Sequence, residues 1–164
     1  HHHPTHNLGV NNLSALPSDF GNRVNLRVLY LIGNNVSSLP SEFGNLVNLQ
    51  RLELGGNNLS SLPPEFGNLN NLENLSLFGN SLSAIPSEIG NLINLRTLWL
   101  DSNALSSLPL EIANLNRLGS LDLEENPIPC LPETLLSWYE NIPIRSPQSF
   151  EECRSILMYR PYSR

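Results

Sequence analysis

The chain has 164 residues, 40% of them hydrophobic and 15% charged, with 9 basic against 15 acidic side chains and a formal net charge of -6. That suffices for one domain with a core, while the negative balance disfavours a nucleic-acid backbone or an anionic membrane surface, both of which reward clustered positive charge. No apolar run approaches the roughly 18 to 20 residues that cross a bilayer, and no signal-peptide pattern opens the chain. All 9 basic residues are arginine, a bias that copying of a lysine-free unit would propagate.

The opening HHHPTH resembles the end of an affinity tag, so residues 1–6 are read as a tag remnant or a truncated first repeat. From His3 a 23-residue unit recurs, restarting at Leu26, Leu49, Leu72, Leu95 and Leu118, with the form LxxLxLxxNxLSxLPxEFGNLxN. Residues 7–140 therefore hold about six repeats, each burying its core against its neighbours. The LxL segment alternates with period two, as a half-buried strand does, and successive strands can stack in parallel about 4.8 Å apart. Asn11, Asn34, Asn57, Asn80, Asn103 and Asn126 follow the strands, where an amide can satisfy backbone groups in a buried bend. A Leu-Pro or Ile-Pro pair comes next, such as Leu39 and Pro40, and proline suits the first position of a short helical or 3₁₀ turn. Gly44 and Asn45, and their equivalents, end that turn on the outer side of the coil.

The ends depart from the pattern. His3 and His6 stand where later repeats have Leu, which predicts an uncapped first strand prone to edge-to-edge dimerisation. The sixth unit drifts, replacing the usual Gly-Asn-Leu with Leu136, Ser137 and Trp138. Residues 141–164 read as a C-terminal capping segment with a short helix: Pro147 near its start, a capping box from Ser149 to Glu152, and Phe150, Cys153 and Leu157 on one face.

LxxLxLxxN followed by LPxEFGNLxNL resembles the leucine-rich repeat family in its 23-residue form, similar to Ras-group scaffolds, the repeat arms of Roco GTPases and bacterial repeat proteins. The resemblance spans most of the chain. It implies an α/β fold, a right-handed leucine-rich repeat solenoid arched like a horseshoe, with a parallel concave β-sheet and short convex helical turns. Within that family the motif serves unrelated tasks, so it identifies no partner.

Cys130 and Cys153 are the only cysteines. A single disulfide tying down the cap is geometrically conceivable. Secreted members of the family usually carry multi-cysteine caps, a pattern missing here, so the reading is two reduced thiols in an intracellular protein. Cytoplasmic placement follows, with secretion as the alternative. N-glycosylation acceptor patterns at Asn12, Asn35, Asn58 and Asn74 mostly follow from the repeat itself.

Outside the tag-like start there is no histidine to serve as base or metal ligand, and no phosphate-cradling glycine loop. Asp101, Asp122, Glu124 and Glu125 fall on adjacent strands, where calcium binding competes with a plain solvated face; the solvated face is the reading. The chain is expected to be non-enzymatic, with no cofactor and no metal.

The residues flanking the strand leucines point to the concave face. One column reads Thr5, Val28, Arg51, Asn74, Thr97, Ser120; the central one reads Asn7, Tyr30, Glu53, Ser76, Trp99, Asp122; the next reads Gly9, Ile32, Gly55, Phe78, Asp101, Glu124. Tyr30, Ile32, Phe78 and Trp99 are thereby predicted to stand in water, rimmed by Arg51, Glu53, Asp101, Asp122 and Glu124, as at a protein or peptide interface. The expected function is protein–protein interaction through this face. The alternatives are the regulatory arm of a larger signalling protein, such as a GTPase or kinase, and a secreted or host-directed bacterial factor.

Overall fold

The computed structural model describes residues 4–154 and 159–161. Seven strands lie in chain order in one parallel sheet: β1 (Thr5–Asn7), β2 (Val28–Tyr30), β3 (Arg51–Glu53), β4 (Asn74–Ser76), β5 (Thr97–Trp99), β6 (Ser120–Asp122) and β7 (Ile144–Arg145). The chain is a leucine-rich repeat solenoid, since each return to the sheet passes through a turn on the opposite side. Those turns are 3₁₀ helices at Ser18–Asn22, Ser41–Asn45, Pro64–Asn68, Ser87–Asn91 and Leu110–Asn114, followed by α1 (Glu133–Glu140) in the sixth coil.

The repeat proline sits one residue earlier than its sequence preference suggests. Pro40 is extended, with φ -69° and ψ 156°, and is the last residue before its turn. Pro64 alone among these stands inside the first positions of a turn. Proline thus fixes the entry φ, and the next three residues close the tight helix.

Between sheet and turns runs a continuous apolar column. Leu29, Leu52, Leu75, Leu98 and Leu121 are at most 1% exposed, and each such side chain contributes about 1.5–3 kcal/mol through burial. Under the turns Phe20, Phe43 and Phe66 stack with nearly parallel rings, centroids 6.4 and 6.2 Å apart. Ile89 and Ile112 continue the column.

The bend is closed by the recurring asparagine. Asn80 Oδ1 accepts from the Leu59 N–H at 3.0 Å, while its Nδ2 donates to the carbonyls of Leu54 (3.1 Å) and Leu77 (3.0 Å). One side chain satisfies groups on two consecutive coils. Asn34, Asn57, Asn103 and Asn126 repeat the arrangement.

At the N-terminal end His6 occupies the leucine column opposite Leu29, its ring stacked on Phe20 at 6.4 Å. Residues 5 and 6 therefore belong to the sheet, whatever their origin; residues 1–3, with the His3 position, lie outside the described residues. The other end corrects the expected tail helix. Residues 146–154 are not helical, and the rest of the proposed helix, including Leu157, lies outside the described residues. Instead β7 joins β6 with a slip of one residue, so that Arg145 rather than Ile144 faces Leu121. Its guanidinium covers the Tyr139 ring at 5.5 Å and donates to the Glu140 and Ile142 carbonyls. A charged side chain thus closes the apolar column at the sheet edge.

Beyond β7 the chain runs back as a strap. Leu131 bridges to Glu152, which brings Cys130 and Cys153 to a Cα separation of 5.1 Å, and they form a disulfide. The expectation of two reduced thiols is therefore overturned. It rested on counting cysteines, whereas the parallel bridge sets the two side by side. Farther on, the Tyr159 hydroxyl donates to the Leu108 carbonyl and accepts from its N–H.

Candidate functional site

The concave columns align strand by strand. Asn7, Tyr30, Glu53, Ser76, Trp99 and Asp122 are successive register partners, as are Thr5, Val28, Arg51, Asn74, Thr97 and Ser120. Among the described residues the sheet's seven strands have six spacings of about 4.8 Å, or about 29 Å in all.

Of the four apolar groups expected in water, only Trp99 is open, at 42% exposure. Tyr30, Ile32 and Phe78 are half-buried. Phe78 covers Gly55: a Cβ added there would lie 2.0 Å from the ring. The phenyl group fills the space its neighbour leaves, so it is largely a packing element. Glu53 is buried at 8% exposure, its carboxylate receiving the Arg51 Nε at 3.1 Å.

Beyond Trp99 the face turns acidic. Burial, the neighbouring Asp122 charge and, more weakly, Glu124 hold the Asp101 carboxyl above its ordinary range, against the lowering effect of a backbone hydrogen bond. Asp122 Oδ1 accepts from the Glu124 N–H at 3.0 Å, which orders this corner. Among the described residues none of these carboxylates has an ion-pair partner. Also among them, no three acidic, histidine or cysteine side chains are placed to share a metal ion. The arrangement offers carboxylates beside a flat indole, a pairing suited to a cationic side chain.

Sequence reasoning passed over a depression of about 190 Å³ beside Trp99, lined by Arg51, Glu53, Asn74, Ser76, Thr97 and Trp99. Its signal was the small Ser76 between Glu53 and Trp99 in the central column. Ser76 is 2% exposed and its hydroxyl has no hydrogen-bond partner among the described residues. A second hollow, about 290 Å³, lies at the C-terminal end among Tyr139, Arg145, Gln148 and Phe150. Arg145 and the Tyr139 hydroxyl there are already engaged in holding the chain end.

A family profile described as a leucine-rich repeat region matches residues 10–102, more than half of the chain, and a single Leucine Rich Repeat profile matches residues 94–115. The chain belongs to the leucine-rich repeat family. A search of curated proteins gives no match. Among solved structures, a leucine-rich repeat protein of Leptospira interrogans is 35% identical with a TM-score of 0.80, over 89% of this chain and 36% of that one. The ectodomain of an Arabidopsis thaliana membrane receptor kinase, solved in complex with Casparian strip integrity factor 2, is 34% identical with a TM-score of 0.74, over 82% of this chain and 17% of that one. An internalin from Listeria monocytogenes is 26% identical with a TM-score of 0.68, over 84% of this chain and 39% of that one. The leucine-rich repeat chain thus spans less than half the length of each. Leucine-rich repeat modules typically mediate protein–protein interaction and are non-enzymatic.

Proposed function

We propose that this leucine-rich repeat protein is a non-enzymatic binding module whose concave face grips an extended protein segment, with Trp99 as anchor and Asp101, Asp122 and Glu124 receiving a basic side chain. The observation that carries the reading is the open indole of Trp99 beside an Asp101 carboxyl that burial and Asp122 hold above its usual range. A cation placed there relieves the repulsion among the acids and stacks on the ring. Tyr30, Ile32, Arg51, Glu53 and Phe78 complete the face, which the half-buried Phe78 and the buried Glu53 shape from below. In a pull-down from native extract, the double substitution of Asp101 and Asp122 by Asn should remove the captured partner while the protein stays folded. Capture that survives both this variant and Trp99→Ala contradicts the assignment.

The Cys130–Cys153 disulfide favours an oxidising compartment over the cytoplasm. This supports the reading as a secreted or surface-exposed factor above that of an intracellular signalling arm. Among the described residues β1 is the first strand of the sheet, and its outer edge offers a route to dimers by strand pairing. A concentration-independent monomer in light scattering would exclude that route.

A further inference from the structure

The depression beside Trp99 has a polarity of its own, distinct from the acidic end of the face. One wall is the Arg51–Glu53 ion pair, with the Arg51 side chain 48% exposed and that of Glu53 10% exposed. The pair is neutral as a whole, yet it presents guanidinium donors beside a carboxylate acceptor. The opposite wall is the Trp99 indole, on the strand next to Ser76. Between them lies the Ser76 hydroxyl, buried and unpartnered among the described residues, so a polar ligand atom there supplies a hydrogen bond that it lacks in the free protein.

A carboxylate entering here meets Glu53, and an ammonium or guanidinium meets Arg51. A neutral amide avoids both conflicts. Its NH₂ can donate to Glu53, its carbonyl can accept from Ser76 or Arg51, and its planar face can lie on the indole. The hollow, at about 190 Å³, has room for one such side chain.

Resting on the reading that the concave face grips an extended segment, we propose that this depression is a specificity pocket for an Asn or Gln side chain of that segment. The basic residue that meets Asp122 then has a defined spacing. Ser76 and Asp122 lie two strands apart, about 9.6 Å, and an extended segment in the polyproline II conformation advances about 3.1 Å per residue and turns every third side chain to the same face. The segment therefore carries an amide residue and a basic residue about three positions apart.

The test is a positional-scanning library of short peptides, blocked at both ends, measured against the whole protein and two variants. The wild type should select Asn or Gln at one position and Arg or Lys about three positions away. Ser76→Ala should weaken the amide selection about tenfold while leaving the basic selection intact, as loss of one buried hydrogen bond predicts. Asp122→Asn should do the reverse. Because Ser76→Ala removes an unpaired buried hydroxyl, its thermal midpoint should equal or exceed that of the wild type, so a lost selection is not a folding defect. Basic selection without amide selection, or amide selection that survives Ser76→Ala, overturns the pocket alone. Binding of no peptide at all overturns the pocket together with the concave-face reading.

Discussion

Asp101 illustrates how a position can be set by backbone geometry and burdened by its surroundings. Burial comes first among the causes that raise its pKa above 3.8, followed by Asp122. The folded state therefore binds the Asp101 proton more tightly than the unfolded state does, and stability declines as pH rises from below 3.8 through the raised value. At neutral pH the penalty is complete. Asp101→Asn should raise the thermal midpoint at neutral pH, and the advantage should vanish on acidification through the carboxylate range. Its neighbour Ser102 carries a different strain, with φ at 59° where the equivalent Gly33, Gly56 and Gly79 adopt 74°, 68° and 65°. Relief of that left-handed conformation outweighs the added chain entropy, so Ser102→Gly should stabilise by about 0.5–1 kcal/mol in denaturant unfolding. The left-handed position was not legible from sequence, because Val10, Ser102 and Glu125 interrupt the glycines that would have marked it.

At the scale of the element, the asparagine in the bend is worth more than its outward counterparts. Asn80→Ala leaves the Leu59 N–H and the Leu54 and Leu77 carbonyls without this partner, and should cost about 2–3 kcal/mol. Asn71 makes one exposed bond to the Val47 carbonyl, and Asn71→Ala should stay within about 0.5 kcal/mol. Paired unfolding curves check both. The strands, turns and register were legible because a 23-residue period and a period-two alternation coincide. The C-terminal helix was misplaced for an equally physical reason. Ser149, Glu152, Phe150 and Cys153 have local helical spacing, but the backbone pairs with Leu131 and Phe150 packs edge-on against Tyr139 at 5.1 Å. Tertiary pairing overrode local propensity, and the helix formed at Glu133–Glu140 instead. On the concave face the columns could be read but not their depth. Whether Phe78 stands in water depends on Gly55 beside it, and the Glu53 carboxylate is buried in an ion pair with Arg51.

For the molecule as a whole, the strap fastens the last two coils. The disulfide closes a loop of sequence separation 23, and its loss in Cys153→Ser should destabilise by about 3 kcal/mol. Tyr159 secures the same strap on Leu108, and burial pushes its phenol up to about 12. The native state thus holds that proton more tightly than the unfolded chain, so its stabilisation is complete below pH 10 and is lost between 10 and about 12. Tyr159→Phe should flatten this part of the pH–stability profile. Among the described residues both fasteners attach away from Trp99 and the acidic corner, the disulfide segment beside Leu131 and Tyr159 on Leu108. Shape and the proposed binding surface are therefore separable, and variants of one can be used without disturbing the other.

The most direct measurement is site-specific photo-crosslinking in native extract, with a photoreactive aromatic amino acid, whose ring keeps the stacking role of the indole, replacing either Trp99 on the concave face or Leu110, which is 49% exposed on a convex turn. The account predicts a discrete protein adduct from position 99 that disappears in the Asp101→Asn, Asp122→Asn background, and none from position 110. The same adduct from position 110, or one from position 99 indifferent to the acids, would contradict it.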